Sequence, residues 1–293
     1  MHLFETILNL NGFPIYEARK ALTDIKAMDF NQFQGHTENL RQEIFNFHKA
    51  NNKHYQNLVG NAKAYDWNTI PVLTKKSIQC DIEERLSHGY IKRNVYIHNT
   101  SGSSGNPFFF AKDKFAHAMT WALIFDRYNR HSIDLNGSLQ ARFFGIPLSR
   151  TGYLIEKTKD KLSNRVRFPI FDLSDKVLKE YTVTFSKRPF EYLNGYTSSL
   201  VLFARYLISN GIILNEICPT LKRCITTSEI CSLEDRILME RAFGVRVINE
   251  YGAAELDLIA FEDESFDWIM SNENLFFEVV DEDNKPVGPG VEG

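Results

Sequence analysis

The stretch VYIHNTSGSSGNPFFF, residues 95–110, marks the point at which the character of the chain changes. Its two ends, residues 95–97 and 108–110, are β-branched or aromatic, and such runs are typical of strands. Between them, residues 100–107 are rich in glycine and serine. Glycines reach backbone conformations closed to other residues, and successive amides and hydroxyls can converge on an anion. The stretch therefore predicts a strand, a phosphate-binding loop and a second strand.

Two other interpretations of this loop were weighed. A flexible glycine-serine linker has a similar composition, but the flanking strand signals and Pro107 count against it. A Walker-type P-loop needs lysine and then serine or threonine after its last glycine. Asn106 and Pro107 stand there instead, so that motif is disfavoured.

Outward from the loop, strand-like and helix-like segments alternate along the chain, as in an α/β sheet with helices on its faces. Predicted strands lie at residues 139–144, 190–193, 221–226, 245–249 and 275–280. Predicted helices cover residues 113–130, start after Ser174 and Asp175, run from Thr197 to Gly211, and start at the cap Ser232. We expect an α/β fold of mixed sheets flanked by helices, with a helical N-terminal layer at 1–92 and a nucleotide-binding core at 93–293.

The N-terminal layer is predicted from helical spacing of apolar residues. One face of a helix is expected to carry Leu40, Ile44, Phe47, Tyr55 and Leu58. A second helix is expected to start at the cap Thr74 and to carry Ile78, Ile82 and Leu86.

A second polar motif, NEYGAAE at residues 249–255, follows the predicted strand at 245–249. Ligands of open α/β sheets bind beyond the carboxyl ends of strands. There, the ring of Tyr251 could cover a purine and the carboxylate of Glu255 could hold Mg²⁺. A helix start with a packing tyrosine and a solvated glutamate is the alternative interpretation.

Composition excludes several classes of protein. With 34 Lys+Arg against 37 Asp+Glu, the net charge of −3 argues against a nucleic-acid partner. No apolar run approaches the ~20 residues of a membrane span, and the first residues lack a signal-peptide pattern, so we expect a cytoplasmic protein. The cysteines are irregularly spaced, and we expect no disulfide framework and no zinc site; they are Cys80, Cys218, Cys224 and Cys231.

The two motifs occur together, about 150 residues apart. In this order and spacing the chain resembles the adenylate-forming superfamily of acyl-CoA synthetases. It is most similar to the phenylacetate-CoA ligase branch, which includes proteins of capsular polysaccharide biosynthesis and coenzyme F390 synthetases. Residues 52–75, 195–200 and 226–229 are also similar to segments of that branch, so the resemblance covers about residues 45–293.

The resemblance implies a role for each motif residue. The loop would bind the β- and γ-phosphates of ATP through Thr100, Ser101, Gly102, Ser103, Ser104 and Gly105. Ser228 and Glu229 would lie near the adenine, Tyr251 beside Gly252 would stack on it, and Glu255 would coordinate Mg²⁺. Thr100, Ser101 and Glu255 are the residues implied in catalysis. Both motifs are expected to meet in a single pocket.

The implied reaction is attack of a carboxylate on the α-phosphorus of ATP, followed by capture of the acyl group by a thiol, usually that of coenzyme A. Positioning and charge neutralisation would drive it. The acid is unspecified, an aromatic acid being one candidate, and its pocket is sought at Phe143, Phe144, Tyr196 and residues 253–260. A homodimer is one option for the assembly.

Two alternatives stay open at this point. One is an adenylyltransferase acting on a hydroxyl acceptor, as in coenzyme F390 synthetases. The other is a catalytically degenerate nucleotide-binding protein of a capsular polysaccharide cluster. It is motivated by Asn106, where many relatives have lysine, and by Ala254, where a hydroxyl residue often precedes the glutamate.

The resemblance also implies which parts of the family's site would lie outside this sequence. The ribose-binding aspartate, the hinge and the lysine of the family's mobile C-terminal domain would all lie beyond Gly293, and the turn at 288–290 looks like the approach to another strand. We therefore expect a fragment that lacks the C-terminal domain, binds nucleotide weakly and turns over slowly or not at all.

Overall fold

The computed structural model describes residues 3–100, 107–145 and 150–292. The chain divides into two compact units. The sheet unit comprises Met1–Asn11 and Trp121–Met270, and the helical unit comprises Gly12–Thr120 and Ser271–Gly293.

The helices and strands alternate in the sheet unit, as the sequence predicts. The helices are α1 (Leu3–Leu10), α2 (Ile15–Lys26), α3 (Phe30–Asn51), α4 (Lys53–Val59), α5 (Lys75–Ile78), α6 (Ile82–Arg85), α7 (Lys114–Arg130), α8 (Arg150–Leu162), α9 (Asp175–Lys187), α10 (Thr197–Ser209), α11 (Leu214–Ile217) and α12 (Leu233–Phe243). The strands are β1 (Tyr96–Asn99), β2 (Phe109–Lys112), β3 (Gln140–Phe143), β4 (Arg165–Phe168), β5 (Tyr192–Tyr196), β6 (Arg223–Thr227), β7 (Arg246–Ala253), β8 (Asp257–Glu262) and β9 (Trp268–Met270).

The sheet unit is built on a seven-stranded sheet in the order β4-β3-β5-β6-β7-β8-β9. The pairs from β4 through β7 are parallel, whereas β7–β8 and β8–β9 are antiparallel. The crossovers between parallel strands contain α8, α9, α10 and α12. The expectation of an α/β fold with a mixed sheet flanked by helices is confirmed.

One face of the sheet is covered by an aromatic core. Phe143 of β3 lies fully buried and stacks on Phe168 of β4, with ring centroids 4.9 Å apart. Phe185 of α9 and Phe203 of α10 pack against the same rings. Because each buried aromatic side chain stabilises the fold by roughly 1.5–3 kcal/mol, this cluster holds β3 and β4 firmly against the helices.

In the helical unit, the predicted face of α3 is wrong. The helix forms, with Asp29 and Gln32 making a capping box, but Leu40, Ile44 and Phe47 are exposed. Phe45 is buried instead, because it packs with Val59 and the alanines that follow α4. Asn52 also ends α3 and caps α4, so the chain turns before Tyr55 can continue the predicted stripe.

The single helix predicted after Thr74 is also wrong in its extent. Thr74 does cap α5, its hydroxyl accepting a hydrogen bond from the amide of Ser77. However, α5 ends at Ile78, and α6 starts only at Ile82. Cys80 lies in the link between them, where its amide donates to the carbonyl of Ile78 in a tight turn.

The strand predicted at 275–280 is absent from the described residues; only an isolated bridge joins Val280 to Pro286. Aromatic packing explains the difference, since Phe276 lies edge-on against Trp67 and the guanidinium of Arg41 lies over both rings. Among the elements that the sequence did not predict are α8, α11, β4, β8 and β9.

No helix of the described residues combines the length and the hydropathy that a bilayer span requires.

Candidate functional site

The carboxyl ends of β5, β6 and β7 lie side by side at one edge of the sheet. Tyr196 is in register with Thr227, and Thr227 is in register with Glu250. The second motif and residues 226–229 therefore meet here through strand pairing, although they are far apart in sequence. This edge is where open α/β sheets bind ligands.

The motif at 249–255 lies on the strand rather than after it. The predicted strand ends at Asn249, but β7 continues to Ala253 and pairs with β8. The alternative of a helix start is therefore wrong. Gly252 is needed for this pairing, since a Cβ there would overlap the backbone carbonyl of Asp257.

Glu255 lies in the tight turn between β7 and β8, which is closed by a hydrogen bond from the amide of Leu256 to the carbonyl of Ala253. The residue is half-buried. No described residue donates a hydrogen bond to its carboxylate or forms an ion pair with it. A hard carboxylate oxygen without an internal partner fits Mg²⁺, which binds through one or two carboxylates together with substrate phosphates.

Tyr251 presents its ring at the same end of β7. Its side chain is 59% exposed, and its ring centroid lies 6.5 Å from that of Trp268 on β9 in an edge-on arrangement. The face of a half-exposed ring is free to stack on a planar ligand. The position agrees with the adenine-stacking role that the resemblance implies, and that role stays a prediction.

Ser228 and Glu229 follow β6 directly. Ser228 has a φ of 67°, so the chain turns sharply at this point. The carboxylate of Glu229 accepts hydrogen bonds from the amide and the hydroxyl of Ser198, at 2.6 and 3.0 Å. Glu229 thus caps the first turn of α10 and ties it to the loop after β6. Its predicted place near the adenine stays a prediction.

The order of the strands reverses between β3 and β5, and such switch points are preferred ligand sites. Phe144 follows β3 there and lies 4.8 Å from Tyr196 of β5, measured between ring centroids. Both are half-buried. Phe143, by contrast, is a core residue, which is the more common role of a phenylalanine on a strand. The aromatic pair is the better candidate for an acyl pocket.

A buried polar cluster lies beneath this edge and was missed by the sequence analysis. Tyr128 of α7 and Thr227 donate hydrogen bonds to the two carboxylate oxygens of Glu250, at 2.8 and 3.0 Å. Burial raises the pKa of Glu250 despite these bonds and the nearby charge of Arg142. Burial, together with the charges of Arg165 and Arg167, lowers the pKa of Arg142 to about 10.

The spacing of residues in the sequence does not predict this buried cluster. Glu250 stands next to Tyr251 in the motif, but Tyr128 and Arg142 come from α7 and β3 and carry no local signal. Only the strand order brings them together.

The glycine-rich loop is described only at its ends. Residues 101–106, which include Ser101, Gly102, Ser103, Ser104 and Gly105, lie outside the described residues. Thr100 and Phe108 close the base of the loop with a backbone bond, and the Thr100 hydroxyl accepts from the amide of Phe108 at 3.0 Å. The strands predicted on either side of the loop are confirmed as β1 and β2, and the structure shows that they pair antiparallel. The single pocket shared by both motifs stays a prediction.

No protein-family model matches the chain, and no curated protein matches it. Solved structures do. One is an open conformation of 2-hydroxyisobutyryl-CoA ligase in complex with 2-HIB-AMP and CoA. The match covers 89% of this chain and 64% of the ligase chain, with a TM-score of 0.64 and 14% sequence identity. The postadenylation state of that ligase, with 2-HIB-AMP, matches 90% of this chain and 58% of its own, with a TM-score of 0.65 and 14% identity.

The chain thus spans about three fifths of the length of the ligases that it matches. The match extends over about nine tenths of this chain. At this level of identity the likeness is one of fold. The chain has the adenylate-forming enzyme fold of these acyl-CoA ligases, as its resemblance to that superfamily implies.

Proposed function

We propose that the protein is an ATP-dependent, carboxylate-activating ligase that forms an acyl adenylate and then a CoA thioester, within the phenylacetate-CoA ligase-like branch. The observation that supports this most directly is the edge of the sheet. There, the ring of Tyr251 is exposed near the end of β7, and the carboxylate of Glu255 in the following turn has no partner among the described residues. The fold is shared with ligases solved with an acyl adenylate and CoA.

In the first half-reaction, a carboxylate oxygen of the acid attacks the α-phosphorus of ATP, and pyrophosphate leaves. In the second, the sulfur of CoA attacks the acyl carbon, and AMP leaves. Glu255 would hold Mg²⁺, which neutralises charge on the departing pyrophosphate when bound. Tyr251 would fix the adenine, while the loop that begins at Thr100 would hold the β- and γ-phosphates.

The acid would lie beside Phe144 and Tyr196. This aromatic pair at the strand-order reversal supports an apolar or aromatic acyl group rather than a highly charged one. We retain a cytoplasmic location as part of the proposal, because the substrates are ATP and CoA.

Acid-dependent exchange of labelled pyrophosphate into ATP tests the proposal. Exchange is expected with one or more members of a panel of aryl and aliphatic acids, and it should be lost in Glu255→Gln but retained in Glu282→Gln, an exposed glutamate elsewhere. Absence of exchange with every acid would overturn the proposal and favour a nucleotide-binding protein without catalysis.

The second candidate is transfer of AMP to a hydroxyl acceptor. It is distinguished by product analysis, because a ligase releases AMP and yields a thioester of CoA. A stable adenylylated product that forms without CoA would identify the transferase instead.

A further inference from the structure

Three metal-ligating side chains meet in the helical unit, outside the edge described above. His54 lies on α4, Cys80 lies in the link between α5 and α6, and Glu84 lies on α6. One ligand atom from each lies within 4.8 Å of the other two. The sulfur of Cys80 is 3.7 Å from Nε2 of His54 and 3.9 Å from Nδ1.

The backbone that carries these residues is held without any metal. Asn52 is 4% exposed; its side chain accepts a hydrogen bond from the amide of Tyr55 at 2.6 Å and donates to the carbonyl of Glu84 at 3.4 Å. The amide of His88 donates to the carbonyl of Asn51 at 2.7 Å. These bonds fix the start of α4 against the end of α6, and with them the backbone positions of His54 and Glu84.

The position of Cys80 follows from the break in the predicted helix. If α5 had continued into α6, residue 80 would have been part of a regular helix; instead, the turn after Ile78 places its side chain toward His54. The thiol and the imidazole are half-buried, while Glu84 is exposed. The cluster is therefore accessible from solvent on its Glu84 side.

The donor set favours zinc. A thiolate and an imidazole are ligands that Zn²⁺ accepts readily, whereas Mg²⁺ requires oxygen. Zinc–ligand bonds of about 2.0–2.3 Å place tetrahedral ligands roughly 3.3–3.8 Å apart. The sulfur–nitrogen distances of 3.7 and 3.9 Å already lie near that range, and the exposed side chain of Glu84 has room to adjust its position.

In contrast to the expectation from the cysteine spacing, we propose that His54, Cys80 and Glu84 bind a Zn²⁺ ion through three protein ligands, leaving the fourth position to water. Binding releases the thiol proton of Cys80 to solvent, because the thiolate is the ligand. The two anionic ligands balance the charge of the ion. The ion joins α4 to α6, so zinc stabilises the folded state of this unit. A hydrogen bond between Cys80 and His54 alone is the competing explanation, and it gives Glu84 no role.

Cobalt absorption tests the site, because Co²⁺ bound to a thiolate gives a charge-transfer band in the near ultraviolet. The measurement uses a Cys231→Ser background, since Cys231 is the other half-buried thiol and Cys218 and Cys224 are buried. We expect a band that saturates at a single equivalent and is displaced by Zn²⁺. Cys80→Ser should abolish it.

Glu84 has a matched control in its neighbour. Glu83, on the same helix, is exposed and pairs with Lys92. Glu84→Gln is expected to weaken zinc binding at least about tenfold, because even the loss of a residue that only contacts a metal ligand has an effect of that size. Glu83→Gln should not change zinc binding. Equal affinity in the two variants would overturn the three-ligand site in favour of the Cys80–His54 hydrogen bond.

Alkylation of the wild-type chain tests the site without any substitution, so it applies even if a variant fails to fold. Zn²⁺ should slow alkylation of Cys80 but not of Cys231, as mapped by mass spectrometry of the peptides. Alkylation of both thiols at rates independent of zinc would contradict the proposal.

Discussion

Two carboxylates of the same motif differ in their surroundings. Glu250 is enclosed by the hydroxyls of Tyr128 and Thr227, and burial raises its pKa. Glu255, five positions on, has no partner among the described residues and faces the edge of the sheet. The hydrogen bonds of Glu250 join α7 to β6 and β7. The carboxylate of Glu255 remains available for a cation.

We expect Tyr128→Phe to reduce the free energy of unfolding by about 1.5–3 kcal/mol, because it removes a hydrogen bond to a buried carboxyl group. Urea unfolding measures the change. Tyr192→Phe is the matched control: this ring is equally buried, and its hydroxyl has no hydrogen-bond partner among the described residues. A similar loss in both variants would show that the Tyr128 hydroxyl has no special role.

We expect Tyr251→Ala to weaken Mg-ATP binding about tenfold, since stacking of a base on an aromatic ring is worth about 1–3 kcal/mol. Unfolding should change little, because the side chain is 59% exposed. Tyr251→Phe should bind as the wild type does, and fluorescence titration with an ATP analogue compares the three. Unchanged binding in Tyr251→Ala would exclude the stacking role.

Ion pairs join α8 to β4, two secondary-structure elements that local sequence patterns did not predict. Asp160 of α8 is bound by Arg165 of β4 at 2.5 Å and by Arg167 at 3.0 Å, and its side chain is 10% exposed. Burial alone acts to raise the pKa of Asp160. Hydrogen bonds and charges from Arg167 and Arg165 outweigh it and hold the pKa below the ordinary 3.8.

We expect Asp160→Asn to lower the free energy of unfolding by about 1.5–3 kcal/mol at neutral pH, because it removes the charged hydrogen bonds to Arg165 and Arg167. Glu156 remains as an acidic partner of both arginines. The pKa of Asp160 is lower in the folded state, so its contribution is complete above pH 3.8 and is lost as the pH falls through the folded value. Urea unfolding of both proteins at several pH values checks this. A difference that does not shrink in acid would contradict it.

The caps of two helices, which are set by local signals, were predicted correctly. Ser232 caps α12 and Thr74 caps α5, in each case through a side-chain bond to the first turn. The errors arose where distant packing decides the outcome. The stretch at 275–280 has a strand composition, but Phe276 packs on Trp67 instead of pairing. The face of α3 was misassigned because the chain turns at Asn52.

For the molecule as a whole, the sheet explains how half of the predicted site is assembled. Parallel strands end at one edge, so Ser228, Glu229, Tyr251 and Glu255 come together from two separate segments. This much follows from the α/β alternation in the sequence. The roles of the loop residues 101–106 rest on the resemblance alone, since a glycine-serine stretch has no side-chain pattern that fixes its conformation.

The central claim is that the chain binds ATP with Mg²⁺ at Glu255. Calorimetric titration with Mg-ATP tests it most directly, with Glu255→Ala and the control Glu282→Gln measured alongside. We predict weak binding by the wild type and the control, binding by Glu255→Ala that is about tenfold weaker, or about 1.4 kcal/mol, and no difference between the proteins when EDTA removes the metal. Equal binding of Mg-ATP by the wild type and Glu255→Ala would contradict the account.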